Sequence, residues 1–225
     1  MKIFLDTAIT SEVDCYYKTG LIDGLTTNPS LIRKSGRNHE EVYQEMKDIG
    51  VTDISMEVIG SVSNMISEGK RLSKKYGKVA TIKVPCTPDG LMACRALSEE
   101  GIRVNVTLIF SVAQAILATK AGATYVSPFV GRLDDNSFDG LKLIKDIYKV
   151  YRMQGAEAEI LAASIRDVKS VSDAFANGAD IVTVPASVLG KMYNHILTDK
   201  GLNIFDKDHA AHTLAMSSQI NSDLT

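Results

Sequence analysis

Short runs of β-branched residues alternate with longer stretches of helical spacing along the chain, and this alternation limits the fold more than any other feature. The runs predict eight strands, at residues 2–6, 24–27, 53–58, 79–84, 103–108, 124–127, 159–163 and 180–184. The intervening segments predict helices at residues 40–49, 64–75, 88–100, 111–121, 141–151 and 168–176. Eight strand–helix units in 225 residues favour a single α/β domain, a (β/α)8 TIM barrel. An open doubly wound sheet is the alternative, but no GxGxxG motif precedes a helix.

The chain ends in a segment with its own helical pattern. Because no proline-rich linker or low-complexity tract divides the sequence, residues 1–225 are predicted to form one barrel domain, with residues 203–225 as a helical tail. Residues 206–219 predict an additional amphipathic helix, whose apolar stripe includes Leu214 and Met216. This stripe could cover the barrel of its own chain or dock on a neighbouring subunit.

Charge and cysteine usage exclude several classes of protein. The net charge is −2 and no basic run is present, so nucleic-acid binding is not expected. The longest apolar stretch, residues 104–118, is interrupted by polar residues and does not predict a membrane span. Asp6 follows too few apolar residues for a signal-peptide core, and the three cysteines form no CxxC pair. We therefore expect a cytoplasmic protein with reduced thiols and no membrane partner.

Lys83 is a lone charged residue within an apolar, β-branched run, which predicts a strand buried on both faces. Burial of an amine disfavours its charged form. A neutral amine on a rigid strand can attack a carbonyl group and form a Schiff base. The alternative is a lysine near a strand end whose head group reaches solvent.

Polar side chains occupy nearly every predicted strand end, which is where a (β/α)8 barrel carries its chemistry. They are Asp6, Thr26, Thr27, Asn28, Glu57, Lys83, Asn105, Thr107, Ser127, Ser164 and Arg166. Taken singly, Asp6 could cap the first helix, residues 27–30 could form a turn, and Glu57 could pair with a surface lysine. Likewise, Asn105 could satisfy a neighbouring strand. Taken together, these residues predict one pocket with an amine, two acids and groups that bind hydroxyls.

Two arginines and a serine predict an anion site at the rim of this pocket. Arg132 follows the sixth strand, and Ser164 and Arg166 follow the seventh. Guanidinium groups bind tetrahedral anions through two hydrogen bonds, so the set points toward a sugar phosphate. Each arginine could instead be solvated or paired with an acid.

Five segments resemble the transaldolase family. They are FLDT at 4–7, GLTTNPS at 24–30, IKVP at 82–85, VNVT at 104–107 and SPFVGR at 127–132. The resemblance extends to about residue 185 and is closest to the short members, the group that includes fructose-6-phosphate aldolase. It implies a Schiff-base (β/α)8 barrel that moves a dihydroxyacetone unit between sugar phosphates, with neither a metal nor an organic cofactor.

The resemblance also implies roles for individual residues. Lys83 would be the Schiff-base lysine and Asp6 a proton-transfer carboxylate. Glu57 and Thr107 would hold the catalytic water. Substrate binding would fall to Thr26, Asn28, Asn105, Ser127 and Phe129, and phosphate binding to Arg132, Ser164 and Arg166.

Three positions bear on which activity of the family is present. Phe129, Glu57 and Arg166 stand where the fructose-6-phosphate aldolase branch tends to carry tyrosine, glutamine and lysine. This favours a transaldolase of the pentose phosphate pathway. The alternative is an aldolase that releases free dihydroxyacetone.

Two other classes of barrel protein are alternatives to a Schiff-base enzyme. A catalytically inactive barrel would have lost Lys83 or the acids, and a metal-dependent hydrolase would need histidines at strand ends. The four histidines lie elsewhere, so no metal site is expected.

By resemblance, the short members assemble into pentamers that pair into decamers through the tail, so a homo-oligomer is expected.

Overall fold

Eight parallel strands pair in chain order, and the last pairs back with the first, so that the sheet closes into a barrel. The computed structural model describes the backbone of residues 1–222 and the side chains of residues 1–214. The strands are β1 (Lys2–Asp6), β2 (Gly24–Thr26), β3 (Ile54–Glu57), β4 (Ala80–Pro85), β5 (Val104–Ile109), β6 (Tyr125–Pro128), β7 (Glu159–Ala162) and β8 (Ile181–Val184). The predicted barrel is therefore confirmed, and the open doubly wound sheet is excluded.

Helices occupy the connections between the strands. They are α1 (Thr10–Tyr17), α2 (Pro29–Ser35), α3 (His39–Asp48), α4 (Val62–Tyr76), α5 (Pro88–Glu99), α6 (Val112–Lys120), α7 (Val130–Asp135), α8 (Gly140–Gln154) and α9 (Val168–Ala176), with α10 (Ala186–Leu189) after the last strand. The predicted helices correspond to α3, α4, α5, α6, α8 and α9. The sequence pattern does not predict α1, α2, α7 or α10, because none exceeds 8 residues and a short helix lacks a full apolar repeat.

Side-chain caps determine where several helices begin. Thr87 Oγ1 accepts a hydrogen bond of 3.0 Å from the Gly90 amide, and a proline follows Thr87 at the first helical position. In the same way, Asn28 Oδ1 accepts a bond of 3.0 Å from the Leu31 amide. The segment around Asn28, for which a turn is the alternative reading, is therefore the start of α2.

A buried polar cluster around Asp53 closes the end of the barrel where the strands begin. Its carboxylate accepts hydrogen bonds from Thr81 Oγ1 at 2.7 Å, Arg103 Nη1 at 2.6 Å and the Tyr125 hydroxyl at 2.7 Å. These residues lie at or next to the starts of four consecutive strands. Because the polar groups satisfy one another, the cluster stabilises this end, and the opposite end is left for chemistry.

An apolar cluster fills the space between the two ends. It consists of Phe4, Tyr125, Leu161, Ala163 and Ile181. The rings of Phe4 and Tyr125 meet edge to face, with centroids 6.0 Å apart. Since Leu161 and Ala163 also line the pocket described below, the cluster forms an apolar wall beneath the polar residues of the other end.

The chain divides into a unit of residues 1–189 and a second unit that begins at Gly190. The second unit contains α11 (Ile196–Ser222), so the predicted tail helix at 206–219 lies within a helix that begins earlier in the chain. Leu202 and Phe205 on α11 are exposed. The predicted apolar position Met216 lies outside the described side chains. Within residues 1–222, no helix combines the length and apolar character that crossing a membrane requires.

Candidate active site

Lys83 lies in β4 with its side chain only 6% exposed, so its head group does not reach bulk solvent. Nζ lies 3.0 Å from Glu57 Oε2 and donates a hydrogen bond of 3.0 Å to the Thr27 carbonyl oxygen. The amine is therefore surrounded by polar groups, in contrast to the apolar setting that the sequence suggests. Its resting contacts are those of an ammonium group paired with a carboxylate.

Glu57 is the last residue of β3 and pairs directly with Lys83 in the parallel register. This register places the Glu57 carboxylate directly beside the Lys83 amine. Glu57 does not line the same pocket as Lys83. It lines a neighbouring cleft together with Ile32, His39 and Tyr43. Glu57 therefore lies between the buried amine and a second opening to the surface.

Asp6, at the end of β1, is held by a chain of hydroxyl groups. Thr26 Oγ1 donates a hydrogen bond of 2.7 Å to Asp6 Oδ1 and lies 2.7 Å from Thr183 Oγ1. Because a hydroxyl has one hydrogen, Thr183 must then donate to Thr26. Burial raises the pKa of Asp6 above its ordinary value of 3.8, while the Thr26 hydrogen bond and the positive charge of Lys83 oppose the rise. A carboxyl group in this setting is suited to exchanging protons.

Thr107 supplies an unpaired hydroxyl. Its Oγ1 is buried without a hydrogen-bond partner among the described residues, and the residue lines the pocket of Lys83. The next residue, Leu108, has a φ of 60°, where the pairing of β5 with β6 shifts register. A positive φ is unfavourable for a bulky residue and concentrates at functional sites. A polar atom left open in this way can hold a water molecule or a substrate hydroxyl.

The pocket around Lys83 brings together most of the predicted site residues. It is lined by Asp6, Thr26, Asn28, Lys83, Thr107, Ser127, Phe129, Arg132, Leu161, Ala163, Ser164 and Thr183. Four of the residues expected at one pocket are absent from this lining, namely Thr27, Glu57, Asn105 and Arg166. Leu161, Ala163 and Thr183 also line the pocket, and no strand-end polar pattern singles them out.

The predicted amide groups differ in how much they can offer a ligand. Asn28 uses its Oδ1 to cap α2 and leaves its amide nitrogen to the pocket. Asn105 is fully buried, where Nδ2 donates to Ser55 Oγ at 3.1 Å and Oδ1 accepts from Ser127 Oγ at 2.7 Å. These contacts match the alternative in which Asn105 forms hydrogen bonds with neighbouring strands. Ser127 is the member of this group that lines the pocket.

Arg132 rests on an aromatic ring at the rim. Its guanidinium carbon lies 4.9 Å from the centroid of the Phe129 ring, a cation–π contact. The Phe110 ring packs edge to face against Phe129 at 5.8 Å. Among the described side chains no carboxylate forms an ion pair with Arg132, so its hydrogen-bond donors are open to an anion.

Arg166 is exposed and forms a two-point ion pair with Asp135, the last residue of α7. This pairing raises the pKa of the Arg166 guanidinium and matches the expectation that the arginine could be paired with an acid. Ser164 has a φ of 59° and lies on the pocket wall between Ala163 and this ion pair. Ser164 and Arg132 therefore line the same pocket, whereas Arg166 lies outside its lining.

Other chemistry-bearing residues lie away from the pocket. All three cysteines are free thiols, and Cys86 is not in the lining. Across the described part of the chain, no group of three or more histidine, cysteine or acidic side chains is arranged to hold a metal ion. The polar contacts of Lys83 Nζ are a carboxylate oxygen and a backbone carbonyl oxygen.

Comparison with known proteins gives one consistent result. A family model described as Transaldolase/Fructose-6-phosphate aldolase matches residues 3–224. A protein of Caulobacter vibrioides (strain NA1000 / CB15N), named "Probable transaldolase", is 52% identical over 212 residues, which cover 94% of this chain and 97% of the relative. A Paracoccus denitrificans (strain Pd 1222) protein of the same name is 52% identical over 211 residues, covering 93% and 97%.

Proposed function

The chain belongs to the transaldolase/fructose-6-phosphate aldolase family, and we propose that it is a transaldolase acting through a Schiff base on Lys83. The donor would be a ketose phosphate, sedoheptulose 7-phosphate or fructose 6-phosphate. The acceptor would be an aldose phosphate, glyceraldehyde 3-phosphate or erythrose 4-phosphate. The observation that carries the proposal is a buried amine 3.0 Å from a carboxylate, beside a polar pocket with arginine at its rim.

The first step needs Lys83 as a free amine. Glu57 is the neighbour placed to take its proton, since Oε2 lies 3.0 Å from Nζ. The amine then attacks the ketone carbon, and a proton passes from the nitrogen to the carbonyl oxygen to give a hydroxyl. The protonated Glu57 returns its proton as this hydroxyl leaves as water. One amine nitrogen gains a carbon, one carbonyl oxygen departs as water, and the product is an iminium ion. Thr107 Oγ1, buried and unpaired, is suited to hold the water that relays these protons.

The iminium cation then acts as an electron sink for cleavage of the C3–C4 bond. The proton of the C4 hydroxyl passes to Asp6, the electrons of the broken bond form an enamine, and the aldose phosphate leaves. When a new aldehyde binds, the enamine attacks it and Asp6 returns the proton to the new hydroxyl. Asp6 must therefore be ionised before cleavage and protonated before transfer, and its raised pKa suits both states.

The rim of the pocket favours phosphorylated substrates. Arg132 lines the pocket with its donors unpaired among the described residues, and Ser164 lies in the same wall. Arg166 is nearby but is held by Asp135. Charge-assisted hydrogen bonds from guanidinium groups are the preferred contacts of phosphate in proteins. The hydroxyls of the dihydroxyacetone part would contact Asn28, Ser127 and Thr26, with Asn105 orienting Ser127.

A second function within the family is an aldolase that releases free dihydroxyacetone. It requires efficient hydrolysis of the enamine–iminium intermediate by an activated water. Phe129 presents a ring with no hydroxyl to the pocket. It therefore cannot help to orient such a water, and this favours transfer over release.

The proposal includes a role in the pentose phosphate pathway, a cytoplasmic location and a homo-oligomer of five or ten subunits. The first two rest on the family. The third has additional support from the exposed apolar residues Leu202 and Phe205 on α11, which a neighbouring subunit could cover.

Transfer and release are separated by one assay. The enzyme is incubated with fructose 6-phosphate, with and without erythrose 4-phosphate, and the products are quantified by mass spectrometry. A transaldolase forms sedoheptulose 7-phosphate and glyceraldehyde 3-phosphate in equal amounts only when the acceptor is present. Release of free dihydroxyacetone at a comparable rate without acceptor would support the aldolase instead, and absence of both reactions would refute the proposal.

A further inference from the structure

The ion pair between Asp135 and Arg166 uses one particular edge of the guanidinium group. Arg166 donates from Nη1 to one carboxylate oxygen of Asp135 and from Nη2 to the other. This is the end-on arrangement, in which the acid faces the two terminal nitrogens. Asp135 therefore holds the guanidinium by the edge that does not include Nε.

The Nε edge of Arg166 lies beside Gly131 and Ser164, and Ser164 lines the pocket. A methyl group added at Gly131 would lie 2.8 Å from Arg166 Nε, 3.1 Å from Ser164 Oγ and 2.2 Å from the Ser164 carbonyl oxygen. Because Gly131 has no side chain, the arginine can lie this close to the backbone of α7. The Nε edge and the Ser164 hydroxyl consequently lie beside the same glycine.

The number of N–H donors on the guanidinium group decides whether Asp135 and an anion can bind Arg166 at the same time. A guanidinium group has five N–H donors, and an end-on pair with a carboxylate uses two of them. The Nε–H and the outer hydrogens of both terminal nitrogens are left. An anion can therefore bind side-on through Nε–H while Asp135 stays in place.

We propose that Asp135 is a positioning residue for phosphorylated substrates, which holds Arg166 so that its Nε edge and Ser164 Oγ together face the phosphate. This inference rests on the proposed function, since it assumes that the substrates are sugar phosphates. Arg132 is held in a different way, by a cation–π contact with the ring of Phe129. The two arginines are thus fixed independently, one by an aromatic face and one by an acid.

The expected effect is moderate, because both partners are about half exposed and the pair is solvent-screened. Removing the acid leaves Arg166 charged but free to adopt other rotamers. We expect Asp135→Asn to raise KM for glyceraldehyde 3-phosphate about threefold to fivefold. The value of kcat should change less than about twofold, because no reacting atom is touched.

The experiment compares Asp135→Asn with Asp146→Asn, which removes an acid from a surface ion pair with Lys142 on α8. KM is measured for glyceraldehyde 3-phosphate and for glyceraldehyde, which lacks the phosphate. The inference expects KM to rise only for the phosphorylated acceptor and only in Asp135→Asn. Equal rises for both acceptors, no rise, or a lower KM in Asp135→Asn would overturn it.

Two further measurements separate this inference from the proposed function. In an Arg166→Gln background, adding Asp135→Asn should cause no further change in KM, because the acid acts through the arginine. Inorganic phosphate should raise the melting temperature of the wild type more than that of Asp135→Asn, and this readout needs no turnover. If the wild type performs no transfer, the proposed function fails, while equal phosphate stabilisation of both proteins would refute the role of Asp135.

Discussion

Glu57 Oε2 lies 3.0 Å from Lys83 Nζ, and the two residues are directly paired across β3 and β4. The side chains are only 11% and 6% exposed, so their mutual attraction is weakly screened by solvent. The same contact that holds Lys83 in place provides the acceptor for the proton that the amine must lose. Position and proton transfer thus depend on one pair of residues.

Replacement of Glu57 should therefore affect turnover strongly. We expect Glu57→Gln to lower kcat for transfer by about 100-fold or more, because the amide cannot take the proton from Lys83. Glu68→Gln is the control, since Glu68 lines the same cleft as Glu57 but pairs with Arg71. Steady-state kinetics with both variants would contradict the account if the two values of kcat were similar.

The hydrogen bond from Thr26 should set the pH dependence of Asp6. This bond lowers the pKa of Asp6, so its loss in Thr26→Val should raise that pKa further. Asp6 must be ionised to accept the hydroxyl proton, and the acidic limb of kcat/KM should therefore move to higher pH. Thr26→Ser retains a hydroxyl and should leave the limb in place. A pH–rate profile of Thr26→Val that coincides with that of the wild type would argue against Asp6 as the base.

Stability should change with pH in a direction fixed by the raised pKa of Asp6. Below its ordinary pKa of 3.8, the carboxyl is protonated in both the folded and the unfolded chain. As the pH rises, the unfolded chain ionises first, and the free energy of unfolding falls until the folded state ionises as well. The Asp6→Asn variant has no carboxyl group at this position, so its free energy of unfolding does not undergo this fall.

We therefore expect the stability of Asp6→Asn relative to the wild type to increase from about pH 4 to about pH 7. Urea unfolding across this range measures the difference, with Asp14→Asn, which removes an exposed acid paired with Lys18, treated in parallel as the control. A difference that shrinks as the pH rises would contradict the assignment.

Phe129→Tyr should shift the enzyme from transfer toward release of dihydroxyacetone. The tyrosine ring can keep the contacts with Arg132 and Phe110, so the added hydroxyl is the main change. That hydroxyl can orient a water for hydrolysis of the intermediate. The ratio of released dihydroxyacetone to transferred product should rise, and an unchanged or lower ratio would rule out this role for Phe129.

The sequence predicts the barrel well because a buried parallel strand carries its own signature. Lys83 and Asn105 could be identified because a polar residue inside an apolar run is conspicuous. Thr183 follows the same rule, but a threonine among valines also fits ordinary strand composition. Its place in the pocket therefore becomes visible only when β8 pairs with β1.

Contacts that depend on register or on side-chain direction are beyond the sequence pattern. The pairing of Glu57 with Lys83 depends on the alignment of β3 with β4. The ion pair of Asp135 with Arg166 joins residues that are 31 positions apart in the sequence. The helix α7, which carries Asp135, is too short to give an apolar repeat. Asn105 illustrates the reverse case, since its position was predicted but its side chain is occupied by Ser55 and Ser127.

Borohydride trapping tests whether Lys83 forms the covalent intermediate. The enzyme is incubated with fructose 6-phosphate and sodium borohydride, digested and mapped by mass spectrometry, with Lys83→Met treated in parallel. We expect a reduced dihydroxyacetone adduct on Lys83 in the wild type and none in the variant. An adduct on another lysine, or an equal adduct in Lys83→Met, would contradict this role of Lys83.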